Sequence, residues 1–400
     1  MDSAPPPATS ARVSDGRSLE LRLLDGLAEV APETWDALAN PLGTAEDPFL
    51  CWAFLEALER SGSVGPGTGW SARHLALKGP DGALLAAAPC YLKSHSQGEY
   101  VFDHSWADAW RRAGGRYYPK LQVCVPFTPV PGRRLLSAPD ATDMDASAML
   151  AHGLGQIARE SGLSSAHVTF CSEAEAQALE QHGWLRRTDQ QFHFFNRGYR
   201  DFDDFLDTLS SEKRKNLRKE RQKARQGLEI ERLTGADLTE AHWDAFFDFY
   251  MDTGERKWGT PYLNRRFFRL LHERMADRVL LIMARRGERW IAGALNLIGS
   301  DALYGRHWGR VEDQPFLHFE LCYYQAMDEV IARGLSRAEA GAQGGHKLAR
   351  GYEPVKTHSA HWIVDPGFRA AVADFLERER RAVDNDIAYL ETRTPFRKDG

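Results

Sequence analysis

The sequence has no run of about 18 apolar residues, so no part of it reads as a membrane-spanning helix. Cysteine is scarce. Cys51, Cys90, Cys124, Cys171 and Cys322 make an odd number, and no two are spaced C-x-x-C. That set argues against a disulfide framework or a metal site and fits a reducing, cytoplasmic setting. There is no excess of positive charge. The 51 Lys and Arg against 56 Asp and Glu leave a net −5, so any attraction for nucleic acid has to be local. No G-x-G-x-x-G follows a first strand, which disfavours a dinucleotide fold. The opening MDSAPPPATSARVSDGRS lacks the apolar core of a secretory leader and reads as a disordered tail over 1–18.

What is present is ordinary globular material: 400 residues, 43% hydrophobic and 27% charged, enough for two domains or one large one. Helix and strand patterns alternate. Residues 48–61 have apolar groups at helical spacing. WSARHLALKG (70–79) and LLAAAPCYLKS (84–94) read as a hairpin around the turn at 80–82. Further on come a helix near 144–161, a strand SAHVTF, a helix at 172–183 and a strand DQQFHFFN. A long charged helix runs from about 201 to 226, with Gly227 placed to end it. The second half has helices at 243–259 and 264–277, then strands VLLIMARRG, RWIAGALNLIG and ALYGRHWGR. A helix over 317–333, strands AEAGA and HSAHWIVD, and a last helix over 367–390 complete it. The plan repeats. LAAAP at 85–89 aligns with IAGAL at 291–295, and EYVFDHSW at 99–106 with DALYGRHW at 301–308. Each half then reads as an antiparallel pair followed by an aromatic third strand ending in tryptophan, Trp106 or Trp308. Hairpins beside helices imply a mixed α/β fold built twice.

Three stretches carry candidate chemistry. Lys213, Arg214, Lys215, Arg218, Lys219, Arg221, Lys223 and Arg225 crowd one helix, interrupted only by Glu220. Leu206, Leu209, Leu217 and Ala224 give it one thin apolar stripe, so most of its surface is expected in solvent. Its like charges repel at about 0.2–0.5 kcal/mol per pair, and phosphates of RNA or of a nucleotide-linked substrate would offset that. A solvated face is the plain alternative. Next, GAQGGHKLARGYEP (341–354) imitates a nucleotide loop, but His346 stands at the required glycine and Leu348 at the required Ser/Thr, which rejects ATP. If 345–350 is a short helix, His346 and Arg350 share a face, and with Lys347 they could hold a carboxylate or phosphate. Finally, Phe316, Glu320, Tyr323, Tyr324, Met327 and Ile331 line one helix face. Glu320 there is either a buried general base with a raised pKa or a carboxylate paired with an arginine. In the first half Tyr118 and Lys120 lead into strand LQVCV, and Lys120 is either an anion contact or a solvated lysine.

Five motifs, YYPKLQVCVPFTP, SEKRKNLRKERQKA, FLHFELCYYQA, GAQGGHKLARGYEP and SAHW, resemble the FemAB-like family of N-acyltransferases, in family order across about 117–362. The resemblance implies tandem acetyltransferase-like (GNAT) domains, here 19–197 and 198–400, the second holding the basic helix over 210–226. It also implies kinship with Fem transferases, which move an amino acid from aminoacyl-tRNA to an amine of a cell-wall precursor. In that light His307 and Trp308 end the strand at the open edge of an acyltransferase cleft, with His307 a base, a substrate contact or a satisfied core histidine, and the HFE motif favours His318 and Glu320. The donor stays open between aminoacyl-tRNA and acyl-CoA. VEDQPFLHFE (311–320) stands where a glycine-bearing coenzyme A loop belongs, has no glycine, and brings Glu312 and Asp313. The helix passes directly into Gly227 and leaves no room for the coiled-coil arm of tRNA-binding Fem enzymes. The expectation is an N-acyltransferase with Glu320, His346 or His307 as catalytic groups. Lys347, Arg350, His318, Trp308, Tyr118, Lys120 and Arg214 are its binding residues, and no metal is involved. Its alternatives are an acyl-CoA-dependent N-acetyltransferase and a non-catalytic module that binds cell wall or RNA, with tRNA reached through 213–225.

Overall fold

The computed structural model describes residues 19–137, 145–257, 261–341 and 344–397. The expected tail and positions 342–343 of the glycine stretch lie outside the described residues. The chain divides into two compact units, with boundaries after Asp189, Lys356 and Val383. The first boundary precedes the expected 197, and residues 357–383 return to the first unit. Strand pairing is the reason. The end of strand Glu353–Ile363 pairs antiparallel with Ser165–Cys171, whereas the end of strand Leu185–Phe195 pairs with Arg337–Glu339 of the second unit.

In the first unit, strand Lys120–Val123 runs parallel to Ser165–Cys171, and helix Ala146–Glu160 connects them. Leu150, Leu154 and Ile157 of that helix are buried with Val123, Ala166 and Val168 in one core. Helix Glu173–Gln181 starts on a capping box, with Ser172 and Glu175 each satisfying the other's backbone N–H. The second unit repeats this connection. Strand Ala302–Arg310 runs parallel to Arg337–Glu339, joined by the helical segment Leu317–Arg333. Strands Glu229–Leu233, Val279–Arg286 and Arg289–Ile298 extend its sheet in antiparallel order to Ala302–Arg310. The core beneath includes Ile282, Ile291, Leu303, Leu321, Tyr324 and Met327.

Three expectations need correction. The 70–94 hairpin is broken in both arms. His74–Lys78 pairs with Leu84–Ala88 in one sheet, while Trp70–Ala72 pairs with Cys90–Lys93 in another. Pro89 lies at the break and has no N–H to continue a ladder. Residues 99–106 form no strand, because Trp106 lies within helix His104–Arg112. The repeat is therefore in the parallel strand–helix–strand connection and not in that alignment. The long charged helix is two helices, Phe202–Asp207 and Ser211–Ala224. Leu209 between them is fully buried and bridges to Phe396.

Candidate active site

The parallel pair of the second unit holds only from Ala302↔Arg337 to Tyr304↔Glu339. Beyond Tyr304 the longer strand stays with its antiparallel neighbour, and the register there steps from Asn296↔Gly305 to Leu295↔His307. Such a bulge re-aims the strand and its backbone groups. A cleft of about 120 Å³ opens at this point, lined by Asn296, Gly305, His307, Trp308, His318, Cys322 and Tyr323. Glycine keeps it open. A Cβ on Gly305 would come within 3.3 Å of the Glu339 carbonyl and 3.5 Å of Asn296 Oδ1.

The cleft gathers the histidines expected from the sequence. The His307 ring packs on Tyr250 at 5.1 Å, and burial, with Arg306 second, holds its pKa down at about 3 although part of the residue stays accessible. His318 packs edge-on against Trp308 at 5.2 Å and Tyr323 at 5.4 Å. Tyr323 is buried and lies 2.8 Å through its hydroxyl from Nε2 of the exposed His346. Partial desolvation, then Arg350 and Lys347, keep His346 below the ordinary histidine pKa, while burial keeps the Tyr323 phenol above its own. At neutral pH the imidazole is therefore mainly uncharged, and in the tautomer with its proton on Nδ1 its Nε2 accepts from the phenol, so that the pair leads from the cleft to the surface.

The remaining expected residues have other partners. Residues Glu320–Tyr324 form a π-helical turn, a feature found often at functional positions. Its wider pitch separates Glu320 from Tyr323. Glu320 is fully buried and turned to the basic helix, where it accepts from Arg225 Nε at 2.8 Å, Gln325 Nε2 at 2.7 Å and Arg221 at 3.2 Å. The arginine-paired alternative thus describes its surroundings. Gly345–Arg350 is a 3-10 helix. Within it Lys347 is buried, donates to the Gly341 carbonyl at 2.8 Å, and is lowered to about 8 by burial. Arg350 stacks 3.4 Å over Phe319 and pairs with Glu220 at 2.9 Å, and Tyr324 also donates to Glu220. Arg214 pairs with Asp207 at 2.6 Å on the open side of the basic helix, beside Lys215, Arg218 and Lys219. In the loop before Leu317, Glu312 and Asp313 are each paired, with Arg286 and Arg310.

A family model described as peptidoglycan biosynthesis/recognition, FemAB-like, matches residues 26–398. The chain belongs to the FemAB-like family. No curated protein matches it by sequence. Among solved structures it is similar to FemX, with 12% identity and a TM-score of 0.53 over 85% of this chain and 98% of that one. It is also similar to the C-terminal domain of a putative lysylphosphatidylglycerol synthetase from Agrobacterium fabrum, with 11% identity and a TM-score of 0.50 over 88% and 97%. A tandem GNAT protein from the clavulanic acid pathway follows at 12% identity and 0.47 over 87% and 99%. At such identities the likeness is one of fold, and the fold shared with FemX and the synthetase domain is of mixed α/β structure. No helix among the described residues is long and apolar enough to cross a membrane.

In the first unit of this FemAB-like protein, Lys120 is fully buried and has no solvated face. Its ammonium donates to Ser96 at 3.0 Å, Glu99 at 2.7 Å and Asp103 at 2.5 Å. Burial would lower its pKa, but the two carboxylates outweigh that and hold it high. Tyr118 bonds the same Ser96 at 2.8 Å. Tyr117 also donates to the Asp103 carboxylate at 2.6 Å, so Tyr118 and Lys120 belong to a buried polar network of the first unit. Sequence reasoning missed Tyr323 and Asn296. Tyr323 read as one more apolar residue on a helix face. Asn296 is the single side-chain amide in the buried run RWIAGALNLI, and that polar interruption was the available signal.

Proposed function

We propose that the chain is an N-acyltransferase that moves an acyl or aminoacyl group from an activated donor to an amine, in the cleft of its second unit. The amine of a peptidoglycan-type precursor is the acceptor class that the family description favours. The observation that carries the reading is the parting of the parallel strands beside the Tyr323–His346 contact. One side offers backbone N–H groups at a bulge, and the other offers a neutral imidazole reached through a phenol. In this reading the amine attacks the acyl carbon, backbone N–H groups along 305–308 stabilise the oxyanion, and His346 accepts the amine proton through Tyr323. The bulk of Trp308 and His318 positions the acyl group. Glu320 is assigned to holding the basic helix and not to proton transfer, because arginines occupy its oxygens.

The donor is best separated by stabilisation and turnover together. Acetyl-CoA, longer acyl-CoAs and charged tRNA are each tested for a thermal shift and for transfer to a small amine. The reading expects one donor class to do both. A donor or precursor that raises Tm by several degrees without any turnover would support a binding module and sink the enzyme. An acyl-CoA shift would select the coenzyme A alternative, for which the paired Glu312 and Asp313 leave less repulsion than their sequence suggests.

A further inference from the structure

Asn296 is 1% exposed and sits in the buried part of strand Arg289–Ile298. Its Nδ2 donates to the Leu280 and Ala294 carbonyls at 3.3 and 3.4 Å. Carbonyls only accept, so the amide is held with its oxygen on the other side. That Oδ1 has no hydrogen-bond partner. It belongs to the lining of the cleft and lies 3.5 Å from the place a Gly305 Cβ would take. Buried acceptors are nearly always satisfied in native structures, so one left open at the wall of a cleft calls for a ligand with a hydrogen to give. Gly305 leaves the space in which that donor would stand.

We infer that Asn296 Oδ1 and the gap at Gly305 form the subsite for the attacking nitrogen. The inference rests on the acyl-transfer reading above. A primary amine, R–NH2, brings a lone pair and two hydrogens. As the new C–N bond forms, the bond between the acyl carbon and the donor's leaving group breaks. One amine proton passes through Tyr323 to His346 and finally leaves with the departing group. The second stays on nitrogen and ends as the amide N–H, and Asn296 Oδ1 holds it throughout. Holding it also aims the lone pair at the acyl carbon. An alcohol of the same shape has only one proton, which the base removes, so Oδ1 is left unmet as the bond forms. Asn296 therefore both orients the nucleophile and selects nitrogen over oxygen.

Selective 15N-asparagine labelling makes the Asn296 side-chain amide visible by NMR. Its resonance is assigned by its absence in Asn296→Asp or, where that chain does not fold, by its displacement in Gly305→Ala. The probes are methylammonium chloride and tetramethylammonium chloride, which share charge but not N–H donors. The expected result is a saturable shift with methylammonium alone, weakened about tenfold or more in Gly305→Ala, whose Cβ covers Oδ1. Equal shifts with both probes, or no saturable shift with methylammonium, overturn the subsite. Methylamine is then offered as acceptor with acetyl-CoA and with charged tRNA. A specific shift without transfer overturns the acyltransferase reading and leaves the subsite supported. Transfer at the unmodified rate by both Gly305→Ala and Asn296→Asp overturns the subsite and leaves the reading.

Discussion

At the scale of single residues, two histidines at the cleft have different environments and so different uses. His307 is held neutral far below physiological pH, so it contributes shape and a fixed polar edge but no titration near neutrality. His346 is exposed, lowered only in direction, and bonded to Tyr323. A base has to be neutral before it acts. Since the folded pKa of His346 is depressed, activity should hold as pH falls through about 6.5, the ordinary histidine value, and drop only below it. His346→Gln should lower kcat/KM by about 100-fold or more and remove this acid limb, within the usual range for a general base. Tyr323→Phe should reproduce the loss of rate. A pH–rate profile unchanged in His346→Gln would remove it from the proton path.

At the scale of elements, the basic helix and the π-containing helix are locked by charge as well as by apolar contact. Leu217 and Ala224 are buried as the sequence stripe implied. What the stripe did not show is the ionic face beside it. Arg221 contacts Glu320 and Asp328, Arg225 contacts Glu320, and Glu220 contacts Arg350. Helical spacing gives which residues share a face, but not whether the facing element is charged, and a single π turn shifts the face midway. Both limits fell on Glu320, whose apolar neighbours in sequence suggested a buried base. Glu320→Ala would leave two guanidinium groups beside an emptied buried site. It should destabilise the fold by about 3–5 kcal/mol, read as a lower urea midpoint with unchanged slope. If the midpoint stays and only turnover falls, the carboxylate is catalytic and this assignment is wrong.

At the scale of the whole molecule, the duplicated α/β plan was legible because local periodicity and turn residues carry it. The exchange of strands was not. Nothing local in SAHW or DQQFHFFN states which strand each will pair with, and that choice moved 357–383 into the first unit. Charge distribution has the same two-level character. The chain is net −5, yet eight basic residues lie between 213 and 225. The structure accounts for four of them internally: Arg214 with Asp207, Arg218 with Asp203, and Arg221 and Arg225 with Glu320 and Asp328. Lys215 and Lys219 make no ion pair among the described residues and line an open groove one turn apart. If tRNA is the donor carrier, these two are exposed on that groove and placed to meet phosphates. Removing one cation that neutralises a phosphate should flatten the plot of log K against log salt by about 0.7–0.9. Lys215→Ala combined with Lys219→Ala should therefore reduce the slope for unacylated tRNA by about 1.5. The fold should be unaffected, because neither side chain supports another element. An unchanged slope would place any RNA contact elsewhere and reduce this helix to a solvated face stabilised by its own acidic neighbours.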